Sequence, residues 1–129
     1  LNFPFFDCII FGDILEHLID PWQVLIKMKK FLHDDGCVIA SVPNVRFWKT
    51  LLPLIFGSWD YKESGVLDRT HLRFFTLKSI KKTFKGCGYK ISKIGFNMGI
   101  RTKVLNFLSF GILKEFLVEQ IYIVARKIT

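Results

Sequence analysis

Residues 5–11, Phe-Phe-Asp-Cys-Ile-Ile-Phe, form a short and nearly continuous apolar run. Such a run, rich in aromatic and β-branched residues, predicts a strand covered on both faces. Gly12-Asp13 ends it. Asp20-Pro21 then reads as a helix start, with Asp at the N-cap and Pro at the first helical position. Trp22, Leu25, Met28 and Leu32 recur at spacings of three and four and predict the buried stripe of that helix. Lys27, Lys29 and Lys30 fall on its other side, where cations suit the helix's C-terminal half. Asp34-Asp35-Gly36 stops it, and residues 37–42 predict a second buried strand closed by Pro43-Asn44. Strand, helix and strand in this order make one βαβ unit with parallel strands and a right-handed crossover.

Residues 46–56 read as a helix interrupted at Pro53. Residues 57–73 show no clean period and predict an ordered loop, a usual place for function. Thr76 caps a helix over residues 77–85, which Gly86-Cys87-Gly88 stops. Residues 89–96 and 120–127 predict strands. Between them, residues 97–117 form an insert with an apolar, helical segment. The fold class is therefore α/β with a mostly parallel sheet in one domain, residues 1–129. The last two strands lack an obvious crossover helix, so the final strand is expected to run antiparallel.

A chain of 129 residues that is 50% hydrophobic is long enough for one core and too apolar for a disordered tail. Nineteen Lys and Arg against eleven Asp and Glu give a net charge of +8. That excess admits an anionic partner without requiring one. Lys78, Lys81, Lys82 and Lys85 have the helical spacing of a solvated face. Regularly interleaved aromatics are missing, so nucleic acid is not an expected partner. Cys8, Cys37 and Cys87 form no CxxC pair, which predicts buried thiols in a reduced, cytoplasmic protein. No signal peptide is evident, and no apolar stretch is long enough to span a bilayer. Residues 47–56 and 104–113 are the most apolar. They are expected to pack in the core, with peripheral membrane contact as the alternative.

In open parallel sheets, ligands bind beyond the carboxyl ends of the strands. One such end runs Gly12-Asp13-Ile14-Leu15-Glu16-His17-Leu18. In a single helical turn, Asp13, Glu16 and His17 at i, i+3 and i+4 would face one way. Two carboxylates and an imidazole can hold a divalent cation or act as acid and base, or they can simply cap the turn. Asp68-Arg69-Thr70-His71-Leu72-Arg73 is the second dense cluster. His71 could act as a ligand or base and Arg69 or Arg73 as an anion clamp, or the group could be a self-satisfied network pinning the loop. No glycine-rich strand-to-helix fingerprint occurs.

Together these motifs resemble the later part of a class I S-adenosylmethionine-dependent methyltransferase, of the type 11, type 12 or type 23 domains. The run Phe6-Asp7-x-Ile9 through Asp13-x-Leu15-Glu16-His17-Leu18-x-Asp20-Pro21 carries the likeness, with Ser41-Val42-Pro43-Asn44, Gly65-x-Leu67-Asp68-x-Thr70-His71-Leu72-Arg73-Phe74-Phe75-Thr76 and Gly86-x-Gly88-Tyr89. The resemblance implies a partial Rossmann-like sheet, from the family's fourth strand to its antiparallel seventh. It places the first three strands and the glycine-rich cofactor loop before Leu1. It assigns Phe11, Gly12 and Asp13 to the cofactor wall and His17, His71 and Arg73 to catalysis. It also implies a possible divalent cation on Asp13, Glu16, His17 and His71. The implied activity is methyl transfer from S-adenosylmethionine to a small-molecule or glycan-related acceptor, with this chain alone unable to bind the cofactor. The alternative is a non-catalytic half-domain that pairs through its first strand, as a homodimer or with a separate N-terminal half.

Overall fold

The structure, a computed structural model, describes residues 6–128. The expected strand start at Phe5 lies outside them. The first strand, β1, is Phe6–Gly12, and β2 is Leu32–Pro43. They pair in parallel, with helix α1, Pro21–Met28, in the connection between them. Helices α2, Trp48–Ile55, and α3, Leu77–Gly86, precede β3, Tyr89–Asn97. Helices α4, Ile100–Leu108, and α5, Lys114–Leu117, lead to β4, Gln120–Lys127. The sheet order is β1-β2-β4-β3, with β4 antiparallel to both neighbours. The expected antiparallel last strand is therefore present, and α4 and α5 make the insert helical.

Local chemistry accounts for the helix starts. Asp20 Oδ1 accepts the Gln23 N–H at 2.9 Å, with Pro21 at the first helical position. Thr76 and Ser79 form a reciprocal capping box at the start of α3. One sheet face then packs on these helices. Leu25 of α1 and Ile80 and Phe84 of α3 share a buried cluster with Val38, Ala40, Ile121 and Ile123. Tyr89 locks this layer, donating from its hydroxyl to the Leu25 carbonyl at 2.8 Å with its ring 5.7 Å from that of Phe84. Burial pushes the Tyr89 hydroxyl's pKa up, so it stays a donor.

Several sequence expectations need correction. α1 stops at Met28, and a 3₁₀ turn, Lys29–Phe31, follows. Leu32 is thus a buried strand residue and not part of the helical stripe, and Trp22 is exposed. β2 starts five residues early because a pairing irregularity accommodates the polar stretch 33–35. α2 runs through Pro53 without a break. In so short a helix, on an exposed face, Pro53 removes a single i→i−4 bond whose carbonyl water can reach. β1 is not covered on both faces. It is an edge strand, and only Phe11 in it is buried. Its Cys8 and Ile10, with Tyr122 of β4 and Lys90 of β3, lie exposed on the sheet's second face. Cys8 is accordingly an exposed thiol and Cys37, its cross-strand partner, a half-buried one, while Cys87 is buried as expected.

Gly36 shows how closely β1 and β2 approach at the irregularity. A Cβ there would stand 3.0 Å from the His33 carbonyl oxygen and 3.2 Å from that of Asp7, both backbone atoms. Gly36→Ala should therefore destabilise the fold by about 1–3 kcal/mol. Urea unfolding would measure this, and an unchanged midpoint would contradict the packing described.

Candidate functional site

After β1 the chain turns sharply at Asp13, whose φ of 50° is unusual for a residue with a side chain. The turn is held from β2 and β4. The Asp13 N–H donates to Ser41 Oγ at 3.1 Å, Ser41 Oγ donates to Asp13 Oδ1 at 3.2 Å, and Gln120 Nε2 donates to the same oxygen. Asp13 is thereby committed to the strand ends. A 3₁₀ turn, Leu15–His17, follows. It presents Glu16 inward at 1% exposure and leaves His17 exposed.

Glu16 organises what lies opposite. Its backbone carbonyl accepts the N–H groups of Leu72 at 2.8 Å and Arg73 at 2.9 Å. This draws the loop of residues 57–73 across the strand end. The loop is ordered, as expected, by pairs such as Lys62 N–H to the Leu67 carbonyl at 2.8 Å. His71 consequently stands beside His17, ring centroids 4.7 Å apart and edge to face.

The neighbours select the tautomer that each imidazole adopts in its neutral form. His71 Nδ1 lies 3.0 Å from the Val66 carbonyl, an acceptor, so it carries the proton and leaves Nε2 bare. His17 Nδ1 lies 3.2 Å from the Thr70 carbonyl and 3.1 Å from Thr70 Oγ1, so its Nε2 is bare too. Thr70 Oγ1 donates to Asp68 Oδ1 at 2.6 Å. Hydrogen bonds from Thr70 hold the Asp68 carboxyl below its usual pKa. Asp68 and Thr70 thus orient His17, as outer groups orient a metal-binding or proton-accepting imidazole.

Neither oxygen of the buried Glu16 carboxylate accepts a hydrogen bond from another residue. Burial pushes its pKa up and Asp13 adds to the rise, while its own backbone N–H and the two histidines partly oppose it. One ligand atom each from Glu16, His17 and His71 lie within 4.8 Å of one another. A carboxylate and two imidazoles suit a divalent transition ion, and the orphaned buried oxygens fit such an ion. Asp13, expected as a fourth ligand, is outside this group. Its left-handed backbone turns it towards Ser41 and Gln120 instead of along a helical face.

Arg73 also stands apart. Its guanidinium donates to the Ile19 and Leu72 carbonyls and lies 5.7 Å over the Trp22 ring, pinning the segment before α1. Ser41, part of the Ser41-Val42-Pro43-Asn44 run, borders the site with Gln120 and Glu119, and nothing local in the sequence marks the last two. A cavity of about 260 Å³ is lined by Asp13, Glu16, His17, His71 and Glu119. Glu119 also borders a larger cavity of about 570 Å³, between Trp48 and Arg101.

A family model described as a methyltransferase domain, type 23, matches residues 4–94. The chain belongs to this methyltransferase family. The fold agrees. A solved S-adenosylmethionine-dependent methyltransferase from Archaeoglobus fulgidus aligns with a TM-score of 0.66 at 15% identity, covering 95% of this chain and 60% of that one. A Thermotoga maritima structure, described as a possible histamine N-methyltransferase, gives 0.64 at 13%, covering 98% and 60%. A putative methyltransferase from Bacillus halodurans gives 0.61 at 13%, covering 100% and 74%. No curated protein matches the chain. The chain therefore spans about 60% of the length of the first two structures.

The family's cofactor is S-adenosylmethionine. Of the three residues expected along its wall, Phe11 is buried, Gly12 has open space where a Cβ would sit and Asp13 is exposed. They stand at the end of β1, the edge strand of the sheet among the described residues.

Glu16 supplies a direct test of the electrostatics. Its raised pKa means that the buried charge costs stability above the ordinary carboxylate range, and that this cost vanishes as pH falls and the group protonates. With chelator present, Glu16→Gln should raise stability at neutral pH by about 1–3 kcal/mol. The gain should shrink towards zero near about pH 4. Thermal melts across that range would show it, and a pH-independent difference would refute the burial argument.

Proposed function

We propose that this chain is the acceptor-side portion of an S-adenosylmethionine-dependent methyltransferase, acting on a small-molecule hydroxyl or amine beside Glu16, His17 and His71. The observation that carries the reading is the buried, unpartnered Glu16 carboxylate beside two imidazoles with bare Nε2 atoms. Family membership supports the reaction class. The cavity's size suits a small acceptor.

S-adenosylmethionine, when bound, supplies an electrophilic methyl group on its sulfonium, and transfer rests largely on positioning. Phe11, Gly12 and Asp13 form the wall for it. With no cation present, a bare Nε2 of a neutral imidazole can take the acceptor's proton. Alternatively, Glu16, His17 and His71 would hold a divalent cation, which would place positive charge beside an acceptor oxygen and commit the imidazole lone pairs to the ion. Arg73 serves as a positioning residue, through Ile19 and Trp22.

Adding Mn²⁺, Co²⁺ or Zn²⁺ should raise the melting temperature, by an amount equivalent to about 2.7 kcal/mol at a hundredfold excess over Kd. Glu16→Gln and His71→Ala should each remove most of that rise. A melting temperature indifferent to all three ions would dismiss the cation. Calorimetric titration of these 129 residues with S-adenosylmethionine should give no measurable heat. Micromolar binding would show that the single wall suffices, against this reading.

A second reading is favoured by the β1 edge, which has a strand neighbour on one side only and exposes Ile10 at 65%. In it, the chain pairs through β1 with a second copy or a separate N-terminal half. Light scattering should then show a concentration-dependent dimer that Ile10→Lys weakens at least about tenfold. A monodisperse monomer at high concentration would end the self-pairing version.

A further inference from the structure

Helix α4 is turned inside out. Thr102, Asn106 and Ser109 follow one another at helical spacing and are the half-buried positions. Ile100, Val104, Leu105, Phe107 and Leu108 are exposed, Phe107 at 80%. A surface helix ordinarily does the reverse. The inward polar groups make no compensating bond to the body of the domain. Thr102 and Ser109 donate to carbonyls of their own segment, Gly99 and Asn106, and Asn106 Oδ1 is buried without a partner.

The turn after α4 extends the same apolar surface. Phe110 is 94% exposed and Ile112 81%. Phe110 adopts a φ of 52°, a left-handed conformation disfavoured for an aromatic residue, immediately before Gly111 at 78°. The chain thus bears a backbone cost to hold out a ring that touches almost nothing within the molecule. Trp48 and Lys49, at the start of α2, line the cavity beside the start of α4.

Charge identifies the occupant. Residues 97–117 contain Arg101, Lys103 and Lys114 against Glu115, three cations to one acid. Glu115 is already paired with Arg46, which lies outside this segment. The excess opposes a second copy on the same face, since that would set cations against cations. It complements an anionic lipid surface, into which exposed Phe and Leu side chains can insert between basic residues. α4 is nine residues long, and no described helix is long and apolar enough to cross a membrane, so the geometry is that of a helix lying in the interface.

We infer that α4 and the Phe110–Gly111 turn form a docking surface for an anionic bilayer. This is independent of the methyl-transfer reading. Sedimentation of the chain with vesicles tests it, using phosphatidylcholine with and without phosphatidylserine. The expected result is binding that requires phosphatidylserine and falls with added salt. Lys103→Glu should weaken it about tenfold, a reversal of charge next to the surface. The pair Phe107→Ser and Phe110→Ser should reduce it to the phosphatidylcholine level, with circular dichroism and melting temperature unchanged because both side chains lie outside the core. Absence of binding to the anionic vesicles, or equal binding by the parent and the double variant, would overturn the inference. So would a solution dimer that the double substitution abolishes, which would assign the face to a second copy.

Discussion

A carboxylate removed from water without a hydrogen-bond donor is the constraint around which the site is arranged. Glu16 meets the fold twice. Its main-chain carbonyl gathers the Leu72 and Arg73 N–H groups and so closes the loop over the strand end. Its side chain, carried inward by the same 3₁₀ turn, loses solvent and gains no donor from another residue. Such an arrangement persists only where the surroundings over-determine it. Here the backbone pairs to residues 72 and 73 hold the turn in place.

The sheet has two unlike faces and two unlike ends. One face is closed by α1 and α3 through Leu25, Ile80, Phe84 and Tyr89. The other carries exposed Cys8, Ile10 and Tyr122, and β1 stands at its edge. The rigid, well-packed face fixes where the ends of β1 and β2 stand, and therefore where Asp13 and the turn to His17 begin. The open face and the edge leave the end of β1 flanked on one side only among the described residues.

α3 and α4 are similar in length and opposite in orientation. α3 has a capping box, buries Ile80 and Phe84 and turns its lysines outward. α4 has no side-chain cap and turns its apolar residues outward. Both have sequences that form helices. What separates them is the surface each one meets, which their local pattern does not specify.

Most elements were legible in the sequence because strand runs and helix caps are interactions between residues a few positions apart. Asp20-Pro21 and Thr76 started helices where expected, and the missing crossover helix correctly implied an antiparallel last strand. Pro53 and Leu32 misled because a solvent-exposed turn tolerates a lost hydrogen bond and because a strand can absorb polar residues at an irregularity. In the site, the sequence picked out Glu16, His17 and His71, which the structure brings together, and with them Asp13 and Arg73, whose side chains bond instead to Ser41 and Gln120 and to the Ile19 and Leu72 carbonyls. The left-handed turn at Asp13, the pairing of His17 with Thr70 53 positions away and the inward burial of Glu16 depend on contacts between distant segments. The sequence by itself determined the elements and the kinds of chemical groups present, since these follow from nearest-neighbour hydrogen bonding and hydrophobic period. Only the tertiary structure decided which groups come together in one small volume, since that depends on how a loop distant in the chain closes on the turn after β1.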